Sequence, residues 1–267
     1  MTYPYPREAG SFLFIDGGVY PYVTKTDRLL EDSKVSLPGG DVIEVSDLLD
    51  QLNLTRFRQQ KFVPVVGYGS NAAPSQLSRK FAKEILETSV VIPVMKGWID
   101  DYDVVWTPFF TSYGAMPSTI FPASGVRAEL WLNWMPESIL ERMDATEGVG
   151  HYYVRTTLSE ASFGFDGPNP ERLELYVSCF GALEAQGTIQ SLSAVPAEGR
   201  KTPEIDSSAA LSLVQPTVAP QSSMLEMLRD TVSSPARRSR YTEALAPFRR
   251  FAESGPFSES ACAHAGN

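Results

Sequence analysis

Cysteine and histidine are scarce in this sequence of 267 residues, which contains two of each. The two cysteines, Cys179 and Cys262, are too few for the disulfide framework that stabilises small secreted domains. The histidines, His151 and His264, lie far apart in the chain, and His264 falls in the C-terminal tail. A metal site is therefore not expected.

Long apolar segments are also missing from the sequence. It contains no run of about 18 apolar residues, the minimum that suggests a transmembrane helix. Its first residues lack the basic region and apolar segment of a secretory signal peptide. We therefore expect no membrane association, and the cytoplasm is the expected compartment.

Basic residues are fewer than acidic residues in this sequence. The chain has 23 Lys and Arg residues against 32 Asp and Glu residues, which gives a net charge of −9. Because an acidic surface repels phosphate groups, a nucleic-acid partner is not expected. The expected partner is a small molecule, and a homodimer remains open.

Apolar patterning divides the chain into three parts. Residues 1–60 are predicted to be an N-terminal extension with a hairpin around Pro38–Asp41, and residues 61–193 a middle domain dense in predicted strands. Residues 194–267 are predicted to form a Pro/Ser-rich loop and C-terminal helices. Many strands with few helices indicate an α+β fold, which we expect to be a small mixed β-barrel with flanking helices.

A glycine-containing loop follows a predicted buried strand at Phe62–Val66. It has the sequence Gly67-Tyr-Gly-Ser-Asn71, and a helix is predicted to begin near Pro74. Such a loop aims backbone N–H groups at one point, which suits a carboxylate or an oxyanion. A tight structural turn is the alternative. A dinucleotide site is disfavoured, because the next predicted strand leads into Lys96 instead of an acidic residue.

A carboxylate lies at the end of a helix that is predicted to begin at Pro136. Gly148 is the predicted left-handed stop, which places Glu147 at the C-terminal end of the helix. The helix dipole disfavours a negative charge there, so removing the charge is expected to stabilise the helix slightly. This poor choice for stability favours a role as a general base. An exposed glutamate without a function is the alternative.

Taken together, these segments resemble the γ-glutamyl cyclotransferase family over about residues 62–180. V-V-G-Y-G-S-N at Val65–Asn71 is similar to the family's Y-G-S-N loop, and M-D-A-T-E-G-V at Met143–Val149 is similar to its acidic segment. Residues Pro117–Trp131 resemble the strands between them. Ala72 departs from the family's usual leucine, and residues 1–60 and 194–267 have no counterpart.

The resemblance implies a fold, a site and a reaction. Residues 61–193 would be a γ-glutamyl cyclotransferase-like catalytic domain that requires no cofactor. Glu147 would be the general acid/base, and the substrate-binding residues would be Tyr68, Gly69, Ser70, Asn71 and Tyr153.

The implied reaction is an intramolecular aminoacyl transfer, in which a γ-glutamyl amine, amide or peptide cyclises to 5-oxoproline and releases its amine. An amide hydrolase or lyase on the same scaffold, and a non-catalytic ligand-binding domain, remain alternatives.

Overall fold

One large sheet organises the computed structural model of the chain, which describes residues 3–159 and 161–263. The strands are β1 Phe12–Ile15, β2 Gly18–Thr24, β3 Lys34–Ser36, β4 Val42–Glu44, β5 Phe62–Gly67, β6 Val91–Trp106, β7 Ser118–Pro136, β8 Tyr153–Leu158, β9 Phe163–Phe165, β10 Leu173–Ser178, β11 Ala182–Ala185, β12 Thr188–Ile189, β13 Ser191–Leu192, β14 Ala197–Glu198, β15 Glu204–Ile205 and β16 Arg249–Arg250.

Short helices connect and cover these strands. They are α1 Val45–Gln51, α2 Pro74–Lys80, α3 Ala82–Glu87, α4 Leu140–Glu147, α5 Ser207–Val218, α6 Met224–Ser233, α7 Pro235–Ala244 and α8 Glu259–Ala263. Turns of 3₁₀ helix lie at Thr55–Gln59, Ser70–Ala72, Glu137–Ile139, Ala246–Phe248 and Gly255–Phe257. Within the described residues, every helix falls short of the length and hydrophobicity that crossing a bilayer requires.

The large sheet has 13 strands, and its main path runs β4-β3-β2-β1-β6-β7-β5-β10-β8. Most neighbours are antiparallel, whereas β5 and β10 are parallel. The α+β class is therefore confirmed. The predicted barrel is wrong: among the described strands, β4 and β8 end the path without pairing to each other. Closure depends on pairing between the two edge strands, which the pattern of apolar residues in each strand does not specify.

Both faces of the sheet are buried. On β1, Leu13 and Ile15 pack into one hydrophobic cluster, whereas Phe12 and Phe14 pack into another on the opposite face. This alternation follows from the two-residue period of a strand. The second cluster also contains buried side chains of α2 and α4, so these two helices cover the same face of the sheet.

The N-terminal strands belong to the same large sheet as the middle of the chain. β1 pairs with β6, with Phe12 opposite Val94. The predicted hairpin is confirmed, because β3 and β4 pair antiparallel with Ser36 opposite Val42. The division of the chain at residues 60 and 193 stays a prediction.

Residues 194–223 are more ordered than a Pro/Ser-rich loop, because they contain β14, β15 and α5. The Asp206 side chain accepts a hydrogen bond from the backbone N–H of Ala209 at 2.8 Å and caps α5. Pro216 obscures the helical period in the sequence. The buried positions nevertheless follow that period, at Ala210, Leu211, Val214 and Val218.

Candidate functional site

The glycine loop lies where β5 ends, between the strands and the helices that cover them. β5 ends at Gly67, a 3₁₀ turn spans Ser70–Ala72, and α2 begins at Pro74. Gly69 has a φ of −106°, so its backbone is not in the left-handed region. A side chain there would nevertheless crowd its neighbours. A Cβ at position 69 would lie 2.8 Å from the Tyr3 hydroxyl oxygen and 2.9 Å from Ser118 Oγ, so these side chains would have to shift.

Helix α4 brings Glu147 to the same place. The helix ends at Glu147, and Gly148 adopts the predicted left-handed conformation with a φ of 66°. The helix begins later than predicted, because Pro136 ends β7 and a 3₁₀ turn precedes Leu140. The Glu147 side chain is 13% exposed, so it is largely withdrawn from solvent.

Lys80 links the loop to this carboxylate. Its ammonium group forms an ion pair with Glu147 and donates a hydrogen bond to Asn71 Oδ1 at 2.7 Å. The sequence analysis missed this residue. A signal was nevertheless present, because position 80 falls on the helix face that carries Leu77 and Phe81. A charged residue among apolar neighbours needs a partner when it is buried.

Asn133 supports the loop from the neighbouring strand β7. Its side-chain amide donates a hydrogen bond to the main-chain carbonyl of Asn71 at 3.3 Å. Asn133 is completely buried, so its polar group has few alternatives to this contact. This bond holds the backbone of Asn71 near the place where Lys80 holds its side chain.

A cavity of about 200 Å³ lies beside these groups. Every residue predicted to belong to the site lines it. The full lining is Tyr3, Tyr68, Gly69, Ser70, Asn71, Gln76, Arg79, Lys80, Phe109, Thr111, Ser112, Tyr113, Pro117, Ser118, Thr146, Glu147, Tyr152 and Tyr153. Tyr3 comes from the N-terminal extension, and Thr111 to Tyr113 come from the segment that precedes β7. The cavity therefore combines residues from distant parts of the chain.

Tyrosine hydroxyls form one side of the cavity. Tyr153 donates a hydrogen bond to the carbonyl of Ser118 at 3.0 Å, and Tyr68 donates one to the carbonyl of Tyr176. Burial raises the pKa of both Tyr68 and Tyr153 well above the ordinary value of 10.0, and the nearby Glu147 carboxylate adds to the increase. Both side chains therefore remain protonated at neutral pH and cannot act as bases. Glu147 is the acidic residue in the lining of the cavity, so it is the candidate base.

Asp144 shows that the orientation of Glu147 is particular to its position on α4. Asp144 lies nearly one turn earlier and turns away from the cavity. It accepts a hydrogen bond from the Tyr176 hydroxyl at 2.7 Å and pairs with Arg155 at 3.2 Å. Two carboxylates of one helix thus have different surroundings, and only Glu147 lines the cavity.

Within the described part of the chain, no group of three or more His, Cys, Asp or Glu side chains is arranged to hold a metal ion. His264 lies outside the described residues. The polar groups of the cavity are instead a carboxylate, an ammonium and a guanidinium group, hydroxyls, amides and the backbone of the glycine loop.

No protein-family model and no curated protein matches the sequence. Among solved structures, a gamma-glutamyl cyclotransferase is similar at 16% identity and a TM-score of 0.31, over 74% of this chain and 95% of its own. An uncharacterized protein from Homo sapiens is similar at 15% identity and a TM-score of 0.31, over 78% and 100% of the respective chains. An Arabidopsis thaliana protein with a solution structure is similar at 17% identity and a TM-score of 0.32, over 45% and 70%. Likeness at this level does not establish a shared function, so a function has to be inferred from the residues of the cavity.

Proposed function

We propose that this chain is a γ-glutamyl cyclotransferase-like enzyme. Its substrate would be a γ-glutamyl amine, amide or peptide, and its products 5-oxoproline and the free amine. The observation that carries the proposal is the meeting of Glu147 with the Tyr68–Asn71 loop on one cavity. The resemblance of these two segments to the family's motifs gives the expected reaction.

The reaction needs one group that accepts a proton and later returns it. In the proposed mechanism, the α-amino nitrogen of the substrate attacks its own γ-carbonyl carbon, and Glu147 accepts the proton that this nitrogen loses. The tetrahedral intermediate then collapses, the original amide C–N bond breaks, and Glu147 returns the proton to the leaving nitrogen. The proton balance closes without an external reactant.

The other steps call for positioning and charge stabilisation. The nucleophile and the carbonyl belong to one molecule, so the enzyme has only to hold the substrate in a folded conformation. Backbone N–H groups of the glycine loop would stabilise the negative oxygen of the intermediate. A cavity of about 200 Å³ is smaller than the ~300–1,000 Å³ of sites for drug-sized ligands. It suits a compact polar group such as a glutamyl moiety, with the amine half extending through the opening.

The test is a panel of γ-glutamyl amines, amides and dipeptides incubated with the protein and with the Glu147→Gln variant. Mass spectrometry of the products would distinguish 5-oxoproline from free glutamate. We expect 5-oxoproline and an equal amount of amine from the wild-type protein only. Free glutamate would instead indicate an amide hydrolase, and binding without turnover would indicate a ligand-binding domain.

A further inference from the structure

The cavity carries an excess of positive charge in a protein that is acidic as a whole. The charged residues of its lining are Arg79, Lys80 and Glu147. Lys80 and Glu147 form an ion pair with each other, so their charges compensate. The charge of Arg79 remains, although the chain has a net charge of −9. A local excess of this kind attracts an anionic group.

Arg79 lies at the opening of the cavity, because it is an exposed residue that also contributes to the lining. Its guanidinium group donates a hydrogen bond to Oε1 of the buried Gln76 at 2.5 Å. The guanidinium carbon lies 5.6 Å from the ring centroid of Tyr113 and 5.9 Å from that of Tyr5. Contacts with α2, with the segment before β7 and with the N-terminal extension therefore hold this charge in place.

Other arginines close to the site have acidic partners. Arg155 pairs with Asp144 at 3.2 Å, and Arg142 lies 3.8 Å from a carboxylate oxygen of Glu84. Among the residues that the structure describes, Arg79 forms no such ion pair. Its charge is therefore positioned by polar and aromatic groups and is compensated by neither of the carboxylates that its neighbours use.

The chemistry of a guanidinium group indicates what it would bind. The group is planar and has five N–H donors, and a carboxylate can accept two of them side by side. Gln76 uses one donor of Arg79, so the other nitrogen atoms can still donate. If the glutamyl moiety fills the cavity, the amine half of the substrate leaves through the opening and passes this group.

We propose that Arg79 is a specificity-determining residue that pairs with a carboxylate in the amine half of the substrate. This inference rests on the proposed function. The preferred substrates are then γ-glutamyl amino acids or peptides, whose amine half carries a carboxylate, and a γ-glutamyl amine without an acidic group is a poor substrate. Arg79 contributes to binding and takes no part in the proton transfers.

The test compares γ-glutamylalanine with γ-glutamylalaninamide, which have nearly the same size and differ in the charge of one group. Arg79→Gln removes the guanidinium group, and Arg79→Lys keeps the charge without the planar pair of donors. Arg237→Gln is the matched control, because Arg237 is 59% exposed and lies on α7, outside the lining of the cavity. Release of 5-oxoproline gives kcat and KM, and circular dichroism identifies the variants that fold.

We expect the wild-type protein to have a kcat/KM about tenfold or more higher for γ-glutamylalanine than for the amide. Arg79→Gln should lower kcat/KM for γ-glutamylalanine about tenfold or more, chiefly through KM, and change it less than about threefold for the amide. Arg79→Lys should fall between these values, and Arg237→Gln should match the wild-type protein with both compounds. An equal loss with both compounds would overturn the proposal, because Arg79 would then contact the glutamyl half or support the fold. No loss in folded Arg79→Gln would overturn it too.

Calorimetry separates this proposal from the proposed function. Binding of both compounds is measured in Glu147→Gln, which should not consume them, and in the double variant that also carries Arg79→Gln. If the wild-type protein releases no 5-oxoproline, the proposed function fails. The role of Arg79 then stands if the double variant binds γ-glutamylalanine about tenfold more weakly and the amide with similar affinity, and it fails if binding is unchanged or absent. If 5-oxoproline is released equally well from both compounds, the role of Arg79 fails and the proposed function stands.

Discussion

Replacing Glu147 by glutamine removes one charge from the cavity and leaves the shape of the side chain almost unchanged. Glutamine can still accept a hydrogen bond from Lys80, but it cannot accept and return a proton. If Glu147 is the general acid/base, the variant loses both proton transfers. Such groups typically contribute about 10²–10⁴ in rate. We therefore expect kcat to fall by at least roughly a hundredfold.

The structure also predicts the effect of this change on stability. From the sequence, the helix dipole predicts a gain of about 0.3–1 kcal/mol when a negative charge leaves the end of α4. The ion pair with Lys80 reverses this expectation, because the variant leaves a largely buried ammonium group without its counter-ion. Hydrogen bonds to charged groups are worth about 1.5–3 kcal/mol. Less the gain from the helix dipole, we expect a net loss of about 0.5–2.7 kcal/mol, which a typical domain tolerates.

The measurement combines 5-oxoproline release with chemical denaturation of the same preparations. Asp144→Asn is the matched control, since it makes the same chemical change on the same helix at a residue that pairs with Arg155 outside the cavity. Glu141→Gln is a second control at an exposed position in the first turn of α4. Both controls should keep kcat within about threefold of the wild-type value.

Retention of most activity in folded Glu147→Gln would refute the assignment of Glu147. Equal losses in Glu147→Gln and Asp144→Asn would also refute it, because the effect would then come from destabilising the helix. If Glu147→Gln proves more stable than the wild-type protein, the ion pair with Lys80 contributes less than the helix dipole, and the energetic reasoning is wrong.

Three further predictions address the loop, the C-terminal region and the buried tyrosines. Gly69→Ala places a methyl group 2.8 Å from the Tyr3 hydroxyl oxygen. It should reduce kcat by roughly tenfold to a hundredfold, and adding Tyr3→Phe should restore part of the loss. Arg200→Leu breaks an ion pair with Asp103 in which both side chains are 2% exposed. It should cost about 3–5 kcal/mol in denaturation experiments, with turnover per folded molecule unchanged. Because burial raises the pKa of Tyr68 above 10.0, the unfolded state loses this proton first as the pH rises. The free energy of unfolding should therefore be unaffected by this group below about pH 10 and fall above it, and a shallower fall in Tyr68→Phe is the check.

Local sequence features predicted the parts of the site that depend on neighbouring residues. The apolar run before Gly67 is strand β5, and the loop that follows it leads into helix α2. Gly148 ends α4 in the left-handed conformation, which places Glu147 at the helix terminus. Such features are set by backbone sterics and by apolar periodicity within a few residues, so they can be recognised without the fold.

Features that depend on distant pairing were not predicted correctly. The sheet remains open because β4 and β8 do not pair, and that outcome depends on contacts between segments far apart in the chain.

Helix α5 escaped recognition because Pro216 and several serines lower its intrinsic helix propensity. Packing of its apolar face against the core favours the helix all the same.

The sequence by itself determined which segments carry the candidate chemistry, through the Tyr68–Asn71 loop and the Glu147 segment. Only the tertiary structure decided what surrounds them. Lys80 reaches Glu147 across 67 positions of the chain, and Tyr3 reaches Ser118 across 115. The packing of α2 and α4 on one face of the sheet brings the first pair together, and a residue of the N-terminal extension completes the cavity. The physical reason is that a local pattern can place Lys80 on a buried helix face, whereas the partner that its charge then meets is set by packing between distant segments.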